Sequence, residues 1–485
     1  MTNHSEYDVI VIGAGPVGEN AADRAVQGGL TVAVVENELV GGECSYWACM
    51  PSKALLRPNS ARRAALSVSG AKQAVTGDLD VPAVLAHRDQ VAAHWDDAGQ
   101  VGWLDGAGIA LHRGAGRLTG VKQVGVTAAD GSSTTLTARQ AVVIATGTGA
   151  LIPDITGLAD IAPWTSREAT SATTVPARFA IIGGGVVAAE MATAFNSLGS
   201  QVTMLLRDGL LARVEPFAAE LVASTLADRG VTLIDEVEVT SAERTDAGGV
   251  RIGYRKGDED RNLEADEVLV ATGRRPRTDA IGLDAVGLPN GSWLTVDDTM
   301  RVLDESGSVL DGGWLYAVGD VNHRALLTHQ GKYQARAAGD VIVARATGSA
   351  VDDAPWGTHV ATADHAAVPQ VVFTDPEIGS VGLTAAEADK AGLRVRSVDY
   401  RIGDVAGASL HAEGYTGTAR IVVDRDREVI VGATFVGPDI AEMVQAATIA
   451  IVGEVPISRL WHAVPAYPTV SEIWLRLLET YGRPS

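Results

Sequence analysis

The chain has 485 residues, with 39 Lys+Arg against 60 Asp+Glu and a formal net charge of −21. A surface this acidic argues against nucleic acid or an anionic membrane as the main partner, and no apolar run approaches the ~18–20 residues of a membrane span. At roughly 100–200 residues per domain the length implies two to four domains, and 46% apolar residues can bury a substantial core.

The first residues lack a basic stretch and lead straight into a strand pattern, so a cytoplasmic location is expected. Val9-Ile10-Val11-Ile12 is a run of β-branched residues, as a buried parallel strand requires. Gly13-Ala14-Gly15-Pro16-Val17-Gly18 follows, then a helix over 19–27 and a strand over 31–35 that ends in Glu36. This is a dinucleotide fingerprint. Gly13 allows the tight turn, Gly15 lets a pyrophosphate approach the backbone, Gly18 lets helix and strand pack, and Glu36 accepts from a ribose. The unit recurs: a strand over 179–182, a turn containing Gly183, Gly185 and Ala188, a helix to 198 and a strand over 201–206. Two such units imply two nucleotides, or a nucleotide and a second cofactor. The phrases 142–147 and 268–273 are alike, each a buried strand closing in Ala-Thr-Gly at Gly147 and Gly273, as an internal duplication would leave. Residues 57–70 and 96–106 are read as loops. After a linker at 352–355, strands over 370–373, 419–424 and 428–435 and helices over 440–453 and 470–479 suggest a separate α+β domain. The expected fold class is α/β, with two Rossmann-like dinucleotide-binding domains and a C-terminal α+β domain.

Only two cysteines occur, Cys44 and Cys49, five apart, so a joint role is expected and a disulfide framework is excluded. Five residues of ideal helix turn ~500°, so the two would not share a face. They meet only if the helix start is distorted, which Gly41-Gly42 and Pro51 make reasonable. A helix N-terminus stabilises a thiolate there. In the second nucleotide unit, the position that holds an acid in NAD sites is Leu206, followed by Arg207 and Arg213. Two guanidinium groups with no acid before them suit the 2′-phosphate of NADPH better than NADH. No metal site is expected.

Residues 41–55, Gly-Gly-Glu-Cys-Ser-Tyr-Trp-Ala-Cys-Met-Pro-Ser-Lys-Ala-Leu, resemble the active-site stretch of the FAD-dependent pyridine nucleotide–disulfide oxidoreductases. The segment from Trp314 to Asp320 looks like that family's second flavin motif, and Val372 to Glu377 like the opening of its dimerisation domain. The resemblance implies a flavin domain over 1–160 and 278–355, an NAD(P)H domain over 161–277 and a dimerisation domain over 365–485, hence a homodimer. It implies that Cys49 contacts the flavin while Cys44 exchanges with substrate. Lys53 would lie near the flavin N5, paired with Glu190. Asp320 would hold the ribityl chain, Thr328 would sit near the ring, and Gly42, Gly116, Gly147 and Gly273 would approach the cofactors.

The chain departs from the family pattern near its C-terminus. Thiol members carry a His-Pro there, supplied by the partner subunit as acid/base, with a Glu five residues on. Here Glu472 is present, but the His position is Tyr467. A phenol titrates near ~10 against ~6.5 for imidazole, and is a poor base at neutral pH. Tyr467 retains the ability to donate a proton or position a carbonyl. Tyr-Pro-Thr at this place resembles the soluble transhydrogenases, which lack the working cysteine pair. The resemblance thus implies hydride flow from NADPH through FAD to Cys44–Cys49 and on to a disulfide or related small acceptor. The alternative is direct transfer from flavin to a quinone or a second nicotinamide nucleotide.

Overall fold

The computed structural model describes residues 5–483 and divides into two compact units. The first comprises Met1–Met50, Asp89–Gly149 and Arg274–His365. Its centre is a sheet in which Ala110–Arg113, Val32–Glu36, Glu6–Ile12, Ser133–Ile144 and Leu315–Ala317 run parallel. Gln123–Thr127 and Ala115–Gly120 extend it antiparallel. The register places Ile12 opposite Val35 and Ile144, so both the first glycine turn and the end of the Val142–Ile144 phrase open at the same sheet edge. Val9, Ile10 and Val11 are fully buried, which is why a continuous β-branched run is required there. Helices Pro16–Gln27 and Thr328–Thr347 cross closely. A Cβ on Gly331 would lie 2.5 Å from Val17 Cγ2, so only glycine permits the approach.

The second unit comprises Pro51–Arg88, Ala150–Gly273 and Ala366–Ser485. It holds a four-stranded parallel sheet in the order Thr232–Ile234, Gln201–Leu205, Arg178–Ile182, Glu267–Val270. A three-stranded antiparallel meander covers Val237–Arg244, Val250–Lys256 and Glu259–Ala265. A five-stranded antiparallel sheet runs Pro369–Val372, Glu377–Gly382, Val429–Gly437, Thr418–Asp424, Val395–Arg401. The α/β class with two nucleotide sheets and a C-terminal α+β segment is therefore what the chain adopts. Among the described residues no helix is long and apolar enough to cross a membrane.

Two expectations are corrected. Residues 57–66 are not a loop but the second half of the helix Cys49–Leu66, which continues through Pro58. Residues 98–106 form the helix Ala98–Gly106, despite three glycines, with Leu104 buried in the core of the first unit.

Candidate functional site

In the first unit the glycine turn is sterically obligatory. Gly13 has φ +102°, and a Cβ on it would lie 2.5 Å from the Ala145 carbonyl oxygen; a Cβ on Gly18 would lie 1.9 Å from the Gly13 oxygen. Glu36 is buried and tied to the backbone, accepting from the Ala14 N–H at 2.7 Å and the Glu38 N–H at 2.8 Å. A groove of about 450 Å³ runs from this turn. It is lined by Gly13, Gly15, Glu36, Gly42, Cys44, Gly116, Gly147, Asp320 and Thr328, which brings together residues that sequence spacing left scattered. Gly18 packs the helix against the turn and does not line the groove.

The cysteine segment resolves the geometric problem of its spacing. Gly41 (φ +107°) and Gly42 (φ +55°) start a short helix, Gly42–Tyr46, that ends at Trp47, whose backbone (φ −138°, ψ 3°) leaves the helical region. A new helix begins at Cys49. With the turn broken between them, the two side chains meet, and Cys44 hydrogen-bonds Cys49. Cys49 Sγ lies 3.3 Å from Thr328 Oγ1. No disulfide joins the two in this structure. The hydrogen bond to Cys49, and then burial, push the Cys44 thiol well up, so Cys44 keeps its proton and donates it. The accepting sulfur heads an 18-residue helix, whose dipole favours negative charge at that end.

Three charged side chains that line the groove, Glu43, Arg274 and Arg277, were not announced by the sequence. Asp320 Oδ2 accepts from Thr148 Oγ1 at 2.7 Å, and Thr148 in turn accepts from Arg274 Nε at 2.5 Å. Arg277 Nη2 pairs with Glu43 Oε1 at 2.5 Å. The run Arg274-Arg275-Pro276-Arg277 directly after Gly273 was the available signal. Glu19, on the first turn of the helix Pro16–Gln27, keeps Oε1 enclosed with no hydrogen-bond partner. Burial pushes its carboxyl up to about 7, with Lys332 opposing and Glu36 adding to the rise.

In the second unit, Lys53 Nζ donates to Glu190 Oε2 at 2.8 Å, and Glu190 Oε1 accepts from the Phe373 N–H at 3.0 Å. Lys53 also stands 4.9 Å over the Phe373 ring. Glu190 is 3% exposed, so both of its oxygens are committed within the protein. The second glycine turn repeats the first: Gly183 has φ +123°, and a Cβ on it would lie 2.3 Å from the Ala271 oxygen. Around Gly185 an added Cβ would meet nothing within 4 Å, leaving open space at the helix start, while Ala188 is fully buried. Leu206 is buried, and the Leu211 N–H donates to the Gly184 oxygen at 2.7 Å, docking the 207–211 loop on the turn. Arg213 is exposed, whereas Arg207 is held by Asp208 at 2.9 Å. Gly273 closes its strand at φ +150°.

Tyr467 and Glu472 do not engage each other. Tyr467 is 76% exposed, while Glu472 is buried and accepts from Arg476 Nη2 at 2.5 Å through Oε1. Its Oε2 is enclosed with no hydrogen-bond partner.

Residues 7–344 match the model of the pyridine nucleotide-disulphide oxidoreductases, and residues 368–477 match the dimerisation domain of the same family. A dihydrolipoyl dehydrogenase of Haloferax volcanii is 31% identical over 97% of this chain and 95% of its own. A mercuric reductase of Staphylococcus aureus is 29% identical over 96% of this chain and 81% of its own. Among solved structures, LpdA from Mycobacterium tuberculosis superposes with a TM-score of 0.80 at 26% identity, covering 98% of this chain and 100% of that one. The flavoprotein disulfide reductase RclA from Escherichia coli shares the fold at the same TM-score and 21% identity, covering 98% of this chain and 99% of that one. The fold, the paired cysteines and the family match over most of the chain lead to one conclusion: this protein belongs to the pyridine nucleotide-disulphide oxidoreductase family.

Proposed function

We propose that the chain is an FAD- and NADPH-dependent disulfide oxidoreductase that works as a homodimer and reduces a small disulfide or related acceptor through Cys44 and Cys49. The flavin would occupy residues 1–160 and 278–355, the nicotinamide nucleotide 161–277, and the dimer contact 365–485. One observation carries the reading: Cys44, hydrogen-bonded to Cys49, lines one groove with the glycine turn, Glu36 and Asp320. The residues present fit a flavin dinucleotide, because a Cβ on Gly42 would lie 2.9 Å from Gly15 Cα and fill the cradle where a pyrophosphate approaches. Glu36 would accept from the ribose, Asp320 would hold the ribityl chain, and Thr328, already against Cys49, would orient the ring. When bound, the flavin supplies the hydride chemistry and hands on an electron pair. Lys53, fixed by Glu190, sets a positive charge one helical turn beyond Cys49. Gly183, Gly185, Ala188 and Gly273 shape the nicotinamide nucleotide turn, with Arg207 and Arg213 for a 2′-phosphate.

In the acceptor step Cys44 gives up its proton and attacks one substrate sulfur as the thiolate, and the substrate S–S bond breaks. Cys49 then closes on Cys44, leaving a Cys44–Cys49 disulfide and two substrate thiols, with one proton coming from Cys44 and the other from solvent. Direct transfer from flavin to a quinone or a second nicotinamide nucleotide is the competing reading. It is favoured by a single feature, the commitment of Glu472 to Arg476 rather than to residue 467. Anaerobic titration with NADPH separates the two. A long-wavelength thiolate-to-flavin absorbance band is expected in the native protein and is lost in Cys49→Ser. If the Cys44→Ser, Cys49→Ser double variant keeps full NADPH-dependent turnover with every acceptor tried, the disulfide reading is wrong.

A further inference from the structure

The second unit contains a cavity of about 410 Å³ that the proposed chemistry does not use. It lies at the C-terminal end of the helix Val186–Ser197, against Asn196 and Leu198. Eleven residues of helix separate Gly185 from Asn196, so the cavity is about 16 Å from the nucleotide turn. Its opposite wall is the second half of the helix Cys49–Leu66. Asn59, Arg62 and Arg63 stand there at positions i, i+3 and i+4, hence on one face.

The charges do not balance within this wall. Arg63 Nε and Arg229 Nη2 both approach Asp375 Oδ2, at 3.4 and 2.7 Å, so two guanidinium groups share one carboxylate oxygen. The Arg229 side chain is only 19% exposed. Among the described residues Asp375 is the one acid its guanidinium meets, and Arg229 lines the cavity. Burial, above all, holds that guanidinium below its ordinary value, with Asp375 opposing and Arg63 adding to the fall. Arg62 contributes a third cation, steadied by the Gly77 carbonyl at 3.2 Å and by Asp78 at 3.3 Å. Asn59 is buried at 8% exposure with no hydrogen-bond partner among the described residues. Leu79 and Leu226 supply an apolar floor.

A partly desolvated positive excess beside an unused amide is unfavourable unless an anion completes it. Guanidinium forks match the oxygens of a carboxylate or phosphate. We infer that this cavity is a binding site for a small organic oxyanion, a carboxylate or phosphate ester, held by Arg62, Arg63, Arg229 and Asn59 and separate from both nucleotides.

The test is calorimetric titration of the flavin-loaded, full-length protein with inorganic phosphate, pyrophosphate and citrate, at ionic strength held constant with sodium chloride. Saturable binding of at least one probe at one site per chain is expected. Preference for citrate or for pyrophosphate tells a carboxylate ligand from a phosphate one. Affinity should fall at least tenfold in Arg62→Gln and in Arg229→Gln, with the rate of NADPH-dependent flavin reduction unchanged. Should Arg229→Gln fail to fold, Arg62→Gln, at a partly exposed side chain, decides alone. Absence of saturable binding by all three probes, or binding that Arg62→Gln leaves intact, overturns the assignment.

Discussion

Asp208 competes for the arginine expected to read the nicotinamide nucleotide. It sits 2.9 Å from Arg207, so a 2′-phosphate has to displace a carboxylate before the guanidinium can fork onto it. Asp208→Asn removes the competitor and lowers KM for NADPH. Arg213→Ala raises that KM about tenfold, the equivalent of one lost charge-assisted contact, while KM for NADH moves less than about twofold. Equal changes for both nucleotides would show that these residues do not read the phosphate. Glu19 carries a second residue-level prediction. Its carboxyl titrates from 4.5 when unperturbed to about 7 in the folded chain, mainly through burial. A raised carboxyl costs nothing well below about pH 4.5, where it is neutral in both states, and its full penalty applies above about pH 7, on the order of 3 kcal/mol. Glu19→Gln should therefore raise the urea midpoint at pH 8 and leave it unchanged near pH 4.5; a gain of equal size at both values would refute the origin in burial. Contacts of this kind were not legible in sequence. Thr148 and Asp320 are 172 residues apart, and Glu43 and Arg277 are 234 apart, so no local spacing announces either pair.

Elements whose form follows from local sterics were the legible ones. Both glycine turns stand where spacing put them, because a side chain at Gly13 or Gly183 collides with a carbonyl of the adjoining strand. The buried strands follow from uninterrupted β-branched runs. The second half of the helix Cys49–Leu66 and the helix Ala98–Gly106 were not legible, because Pro58 and three glycines weigh locally against helix. What wins is tertiary: Leu55, Leu56 and Leu104 are buried, and that burial outweighs propensities of about 1 kcal/mol per glycine. The break between the cysteines also depends on long-range fit, since Gly42 is pressed against Gly15 from another element. Gly42→Ala puts a Cβ 2.9 Å from Gly15 Cα at φ +55°. The expected result is a folded protein that purifies with much less flavin, read from the ratio of visible to ultraviolet absorbance. Gly185→Ala, whose Cβ meets no protein atom within 4 Å, should keep its flavin and weaken NADPH binding instead. Full flavin content in Gly42→Ala would mean that the cradle does not receive the pyrophosphate.

At the level of the whole molecule, the segment matched by the dimerisation model leaves large apolar side chains in solvent. Leu410, Ile449, Val464 and Tyr467 are 70%, 60%, 83% and 76% exposed in the single chain. The segments carrying two of these are pressed together: a Cβ on Gly407 would lie 2.0 Å from the Thr469 carbonyl carbon, which seats the helix Ala406–His411 directly on the turn that holds Tyr467. Scattered apolar side chains need no explanation, but several on one such segment of a chain with net charge −21 call for a cover of matching character. A second copy supplies one. In a two-fold contact every residue acts twice, so each introduced charge is buried twice over. Leu410→Glu with Val464→Glu should convert a dimer to a monomer by light scattering, with the circular dichroism of the chain unchanged. Position 467 would serve the other subunit's site in this family, so the monomer should still be reduced by NADPH while turnover with a disulfide acceptor collapses. A native protein that scatters as a monomer, or a charged double variant that remains dimeric, would place the interface elsewhere and leave Tyr467 without a site to serve.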